Sequence, residues 1–433
     1  MDVLAVAAAA RETGPVCDAC LGRCVADRSR GLSNRERGRT LRIALALAED
    51  GELADDPGET CWVCEGITQR YDELADRAVD ALSDLEFETY QVGTRPSGFV
   101  AENDRLLRED ARGDPEAGEP LKRECNREVG KRLGERTGTR VDFERPDVLV
   151  LLDLAADAVE VTVNSAFVYG RYRKLERGIP QTRWPCSACD GTGRAGDDPC
   201  HECGGSGYRY DRSVEQLVAP HVREAMDGED AAFHGAGRED VDARMLGTGR
   251  PFVVEVDSPR RRRPDLEALE RTINEAADGA VEVEGLRHAR YTMVEHVKEL
   301  EAGKTYEVDV TFAEAVDPEA LAAALAALSG ATVEQRTPRR VDHRRADLVR
   351  ERSVYDAGVV EHDGDRARVR IHGAGGLYVK ELLHGDGGRT EPNLADLLGV
   401  AVDVEALDVV AVEAEGDTRF ADGDHLLDDP SGR

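Results

Sequence analysis

A chain of 433 residues, 33% of them charged, with a formal net charge of -31, is long enough for two to four domains. It contains no apolar run of membrane-spanning length, the stretch from Val148 to Leu154 being broken by Asp153. All but six of the 57 basic residues are arginine. An acidic, lysine-poor surface suits concentrated salt, where the Debye length is about 3 Å and global repulsion hardly reaches a bound polyanion. The composition therefore points to a halophile and leaves nucleic acid open as a partner, with local basic clusters deciding. The alanine-rich start lacks the positive flank of a secretory signal, so a cytoplasmic protein with no membrane partner is expected.

The first chemistry is Cys17-Asp18-Ala19-Cys20 with Cys61-Trp62-Val63-Cys64. Two such C-x-x-C pairs can present four thiolates to one tetrahedral zinc while a helix near Asn34 to Leu47 loops out between them. Disulfides are disfavoured in a cytosolic chain, and a redox pair would need only one C-x-x-C. From Ile67 the pattern predicts a helix at Tyr71 to Leu82, a strand at Glu86 to Gly93, a helix at Lys122 to Leu133, and strands at Val148 to Leu152 and Val159 to Val163. Gly93 to Arg95, Lys122 to Arg127 and Tyr169 to Lys174 bring basic and aromatic groups together, a composition suited to phosphate pairing and base stacking. Cys125 is expected to be a helix-packing residue.

Next, Cys186-Ser187-Ala188-Cys189-Asp190-Gly191-Thr192-Gly193 is echoed by Cys200-His201-Glu202-Cys203-Gly204-Gly205-Ser206-Gly207. Four thiolates with glycines behind each pair make a closed, structural zinc site, to which His201 is a neighbour. Coordination would supply the folding energy of so small a segment, of order 10 kcal/mol by analogy with zinc fingers. Beyond Val214, strands at 252–256, 305–312, 331–335, 367–371 and around 400–412, with helices at 265–275 and 318–328, indicate an α/β domain with a mostly antiparallel sheet. The expected domains are 1–66 (zinc-binding), 67–180 (α/β), 181–213 (zinc knuckles) and 214–433 (α/β). Arg260 to Arg263, with Arg339, Arg340, Arg344 and Arg345, are dense enough to line an RNA path.

Chemistry concentrates in Gly237-Arg238-Glu239-Asp240-Val241-Asp242-Ala243-Arg244-Met245-Leu246-Gly247, a loop leading into an apolar strand. An ionised Asp can act as nucleophile or base, and an arginine beside it can pair with phosphate or fill a gap in a base stack. Asp240 is the candidate catalytic carboxylate. Glu239 and Asp242 are its local competitors, and alternation would send Glu239 to the opposite side.

This loop resembles the catalytic loop of pseudouridine synthases, and with Met245-Leu246-Gly247 it resembles the Pus10 family of tRNA pseudouridine synthases in particular. Further matches follow in order: Gly303-Lys304-Thr305-Tyr306, then Gln335 to Asp347, then Tyr378-Val379-Lys380-Glu381 leading into His384 to Thr390. Cys20-Leu21-Gly22-Arg23 and Glu36-Arg37-Gly38 resemble the family's amino-terminal module, with Cys24 where an aromatic residue is expected. The resemblance implies a THUMP-type RNA-binding domain at 67–180 and, at 214–433, an α/β (α+β) catalytic domain of pseudouridine synthase type with its mostly antiparallel sheet. It implies isomerisation of uridines 54 and 55 in the tRNA T loop by a monomer with no organic cofactor. By position, Tyr306 would stack on the target base, Lys380 would pair with Asp240, Val379 and Leu407 would supply apolar walls, and Arg238 would fill the place of the flipped uridine. The alternatives are a noncatalytic RNA-binding zinc protein and a chaperone-like zinc module.

Overall fold

The computed structural model describes residues 2–300, 302–340, 346–412 and 424–428. The chain forms two compact units, residues 1–165 with 258–262, and 166–257 with 263–433.

In the first unit, helices α1 (Val3–Glu12), α2 (Asp18–Arg23) and α3 (Asn34–Ala48) precede α4 (Tyr71–Ala81), α5 (Gly98–Arg112) and α6 (Leu121–Thr137). Strands β1 (Thr89–Arg95), β2 (Arg140–Val141), β3 (Val148–Asp153) and β4 (Ala158–Val163) form a sheet of order β2-β1-β3-β4. Its β1 pairings are parallel and β3–β4 is antiparallel. Local chemistry sets the elements. Ser33 and Glu36 close a capping box at the start of α3, and α4 buries Tyr71, Leu74, Ala75 and Ala78, one face of a 3.6-residue period. Helices α1 and α5 were not expected. The first is mostly alanine and valine and has a weak period; the second has a regular buried face, but Asp104 and Arg108 sit on it beside Val100, Leu107 and Ala111, so the letters do not read as an apolar stripe. Arg262, expected on an RNA path, is held inside this unit. Its side chain, only 13% exposed, pairs with Asp147 at 3.0 Å and donates to the carbonyls of Asn164 and Ser165.

The second unit is built on a ten-stranded sheet. Its elements begin with β5 (Ala166–Lys174) and the knuckle hairpin β6 (Arg194–Ala195) and β7 (Asp198–Pro199). Then come α7 (Val214–Ala225), β8 (Asp230–Gly235), β9 (Arg244–Asp257), α8 (Leu266–Ala276), β10 (Val281–Ala289) and α9 (Thr292–Glu299). The rest are β11 (Lys304–Phe312), α10 (Pro318–Leu328), β12 (Thr332–Arg336), β13 (Val349–Asp363), β14 (Arg366–Gly373), α11 (Val379–His384), β15 (Thr390–Glu391), α12 (Leu394–Leu398) and β16 (Val402–Val412). The order is β10-β5-β9-β16-β11-β14-β13-β12-β15, with β8 also on β9. Every pairing is antiparallel except β16–β9, so the sheet is mixed rather than purely antiparallel. That parallel pair is short, joining Asp408 to Arg244 and Val409 to Met245. Here Gly247, at φ +55°, lets the strands approach: a Cβ would lie 1.8 Å from the Val410 carbonyl oxygen.

Strand β5 lies on the near side of the boundary expected at 180, yet it pairs with β9 and β10 in this sheet. Its Tyr172 and Lys174, read as RNA-facing, are wholly buried. The run from Tyr169 to Lys174 is an interior strand whose polar groups are satisfied inside the protein, a pattern that composition alone does not separate from a basic surface.

Candidate functional site

The loop from Ala236 to Ala243 lies between β8 and β9, at one wall of a cleft of about 800 Å³. Glu239 and Asp240 point to opposite sides of it. Glu239 is buried, forming an ion pair with Arg250 at 2.9 Å and accepting from the Tyr172 hydroxyl at 2.9 Å, with Lys174 Nζ at 3.7 Å. The same buried groups hold the loop's backbone. Arg250 donates to the Ala236 carbonyl at 2.7 Å, Gln181 to the Gly237 carbonyl at 2.9 Å, and Lys174 to the Asp240 and Val241 carbonyls at 3.1 and 3.3 Å. Gly237, at φ +69°, keeps a Cβ away from Lys304 Nζ and Arg250 Nη1, which would otherwise be 3.4 and 3.5 Å off. Burial pushes Lys174 below its ordinary value against the pull of Glu239, and pushes Lys304, which Arg250 also repels, down to about 8.

Asp240 faces the cleft with its side chain 43% exposed. Its nearest counter-charge is Arg340, whose Nη1 donates to Oδ2 at 3.0 Å. Arg340 is in turn fixed by Glu381, a buried carboxylate that accepts from Nε at 2.7 Å. Lys380, the partner expected from sequence, stands 3.6 Å from Asp240 and donates instead to Asp242 at 2.9 Å. Burial raises the Asp242 pKa, but the hydrogen bond and charge of Lys380 outweigh it and leave the carboxyl below its ordinary range.

The other expected site residues come together in the same cleft. Tyr306 on β11, Val379 and Lys380 at the start of α11, Leu407 on β16 and Arg238 all line it. Tyr306 is a core-facing position of an alternating strand, and burial pushes its hydroxyl up to about 12. The rim carries Trp184, over which Arg238 lies at 5.3 Å. Sequence reading placed Arg340 on the RNA path, took Glu239's partners Tyr172 and Lys174 for RNA-facing groups, and did not single out Arg250. Arg344 and Arg345 lie outside the described residues.

Two four-cysteine groups could hold a metal ion, Cys17, Cys20, Cys61 and Cys64 in the first unit and Cys186, Cys189, Cys200 and Cys203 in the second. Four sulfurs at about 2.3 Å from a tetrahedral zinc would sit about 3.8 Å apart. The structure gives Cys17–Cys64 at 3.7 Å, Cys186–Cys200 at 4.0 Å and Cys189–Cys203 at 3.8 Å. Amides aim at the sulfurs as thiolates require: Cys17 N–H at Cys61, Gly193 N–H at Cys189 and Gly207 N–H at Cys203. Cys24 and Cys125 belong to neither group, and burial pushes each thiol up to about 11, as befits packing residues.

Two family descriptions match the chain: "Pus10 THUMP domain, archaeal" over residues 74–153 and "Pus10, C-terminal" over 167–413. Proteins named tRNA pseudouridine synthase Pus10 are similar along nearly their whole lengths. That of Halorubrum lacusprofundi is 62% identical over 96% of this chain and 97% of its own. Those of Methanothrix thermoacetophila and Pyrococcus furiosus are 45% and 37% identical, covering 95% and 94% of this chain and 94% and 97% of theirs. A solved Cbf5-Nop10-Gar1 complex aligns over 46% of this chain and 45% of its own, with 19% identity and a TM-score of 0.30.

Proposed function

Since the chain belongs to the Pus10 family of tRNA pseudouridine synthases, we propose that it converts uridines 54 and 55 of the tRNA T loop to pseudouridine, with Asp240 as the catalytic carboxylate. The reaction breaks the N1–C1′ bond, joins C5 to C1′, releases the C5 proton and returns a proton to N1, so composition is unchanged and no redox partner is called for. The observation that carries the assignment is the position of Asp240. Of the two loop carboxylates that line the cleft it is the exposed one, held by Arg340 at 3.0 Å, and it shares that cleft with Tyr306.

Each residue then has a task. Arg340 and Lys380 hold the Asp240 carboxylate toward the cleft, where it can act as nucleophile or base. Tyr306 presents its ring to the detached base, and Val379 and Leu407 keep water from the reacting face. Arg238, exposed at the rim, fills the place the uridine leaves, offsetting part of a flipping cost of a few kcal/mol. The cysteine groups each hold a structural zinc, since four thiolates leave no open position. Zinc contributes folding energy there and takes no part in the isomerisation. The protein works as a cytoplasmic monomer. Incubation with unmodified tRNA in molar salt, followed by pseudouridine mapping, tests the substrate. Modification confined to other arms would overturn the T-loop assignment, and freshly purified protein should contain two zinc ions per chain.

A further inference from the structure

Trp184 stands where the chain leaves the catalytic unit for the zinc knuckle, and it is the cleft-lining residue at that neck. Around it the structure gathers flat and cationic groups. Tyr210 meets it edge-on at 5.5 Å between ring centres, Arg209 lies 5.9 Å from its ring and 5.8 Å from that of Tyr210, and Arg238 lies 5.3 Å away. Arg183 caps Tyr208 at 5.4 Å. The backbone pins this arrangement without help from the rings. Arg209 N–H donates to the Trp184 carbonyl at 2.9 Å, Cys186 N–H to the Gly207 carbonyl at 2.8 Å, and Pro185 bridges to Tyr208. The rings remain half-buried and the arginines exposed.

Charge divides along the knuckle as well. Asp190, Asp197, Asp198 and Glu202 fall between the first and last metal-site cysteines, where Arg194 is the only basic residue, whereas Arg183, Arg209 and Arg212 flank that span. A chain with 5% aromatic residues has gathered Trp184, Tyr208 and Tyr210 with arginines at this neck, and Trp184 lines the reaction cleft. We propose that Trp184, supported by Tyr210 and Arg209, is a second base-stacking site, which takes an unpaired nucleobase of the RNA next to the uridine that enters the cleft. The site rests on the RNA-modifying reading above and deepens it. Stacking suits this protein because it survives salt. Phosphate pairing weakens steeply as ionic strength rises, and an aromatic face does not lose its affinity for a base in the same way.

The chain has two tryptophans, so full-length protein carrying Trp62→Phe and Asp240→Asn reports on Trp184 alone without turnover. The probes are a T-arm hairpin RNA, the same hairpin with one abasic nucleotide at each unpaired position in turn, and an anticodon-arm hairpin. The expected result is saturable quenching of Trp184 emission in molar salt, lost when one loop position other than the target is abasic. Trp184→Ala should weaken T-arm binding roughly tenfold to a hundredfold, the range of one base stacked on an aromatic ring. It should also no longer distinguish intact from abasic RNA at that position, while Trp184→Phe keeps most of both. Unquenched emission, or equal discrimination by the Ala and Phe proteins, would make the neck a packing feature and overturn the proposal. Equal quenching by the anticodon-arm hairpin, with pseudouridine mapped there, would remove the T-loop assignment and leave the stacking site standing.

Discussion

Glu239 and Asp240 are neighbours with the same charge, yet the loop gives them opposite surroundings. Beneath it, Glu239 is sealed with Arg250, Lys174 and Tyr172, every one of them at most 6% exposed. Above it, Asp240 meets water, Arg340 and the space a substrate would occupy. The dry side has its charges paired and its hydrogen bonds directed at the loop's carbonyls, so it fixes where the backbone lies. The wet side keeps a carboxylate whose partners come from distant segments and leave part of it open. On the proposed assignment, position and reactivity fall to adjacent residues, and the two sides should respond differently to mutation.

The largest contrast is expected from Asp240→Asn. It keeps size and most hydrogen bonding but removes the anion, so single-turnover release of the C5 proton from labelled tRNA should fall below detection with tRNA affinity and melting temperature unchanged. Near-normal release would move the reactive group, with Asp242 next to test. Glu239→Ala should do the converse. It strands Lys174 and Arg250 without their shared carboxylate and should cost about 3 to 5 kcal/mol in denaturant unfolding. Full stability with lost turnover would break the division of labour.

A smaller, pH-dependent effect should come from Lys304, the cation between the two sides. Its folded pKa of about 8 means its charge disappears as pH rises from 7 to 9, and RNA affinity should fall several-fold over that window. Lys304→Arg, which stays charged, should flatten the profile. The linked stability runs in the opposite sense. Between about 8 and 10.4 the unfolded chain holds the proton that the folded chain has released, so this residue's contribution to stability rises with pH there and is level below 8. The smallest effect belongs to Asp242→Asn. Its carboxylate is 71% exposed and pairs with Lys380, so stability should change by no more than about 1 kcal/mol. A modest gain in the hold of Lys380 on Asp240 should appear as altered turnover and not as altered folding.

Much of this arrangement is legible in the amino-acid sequence. Motif order locates the loop, Tyr306, Val379, Lys380 and Leu407, and cysteine spacing locates both four-sulfur groups. Period-two burial along β11 and the Asp317 cap with Pro318 on α10 announce those elements well. The floor of the site is not legible, because a buried ion pair leaves the same letters in a sequence as an exposed one. One signal is available: lysine is so scarce here that Lys174 and Lys304 merit the attention given to Lys380, and all three converge on this loop or its cleft. Arg340 reads as basic but not as a site residue, since its pairing with Asp240 spans 100 positions and depends on Glu381 turning it inward.

The parallel seam has a consequence for how the protein is made. Strands β5, β8, β9 and β10 are all synthesised before β11 to β15, and among the described residues only β16 joins the two sets, lying between β9 and β11. Until residues 402–412 have emerged, each half-sheet presents an unpaired edge, and Asp240 and Tyr306 belong to separate pieces. Long-range pairing of this kind is slow, and domains fold as units behind a ribosome that adds about 5 to 20 residues per second. A chain stopped short of residue 402 would contain Asp240, Arg340 and Tyr306 and lack Leu407 and Val409, which line the cleft with them. Strand β16, the last among the described residues, is therefore the one that joins the two half-sheets around the cleft.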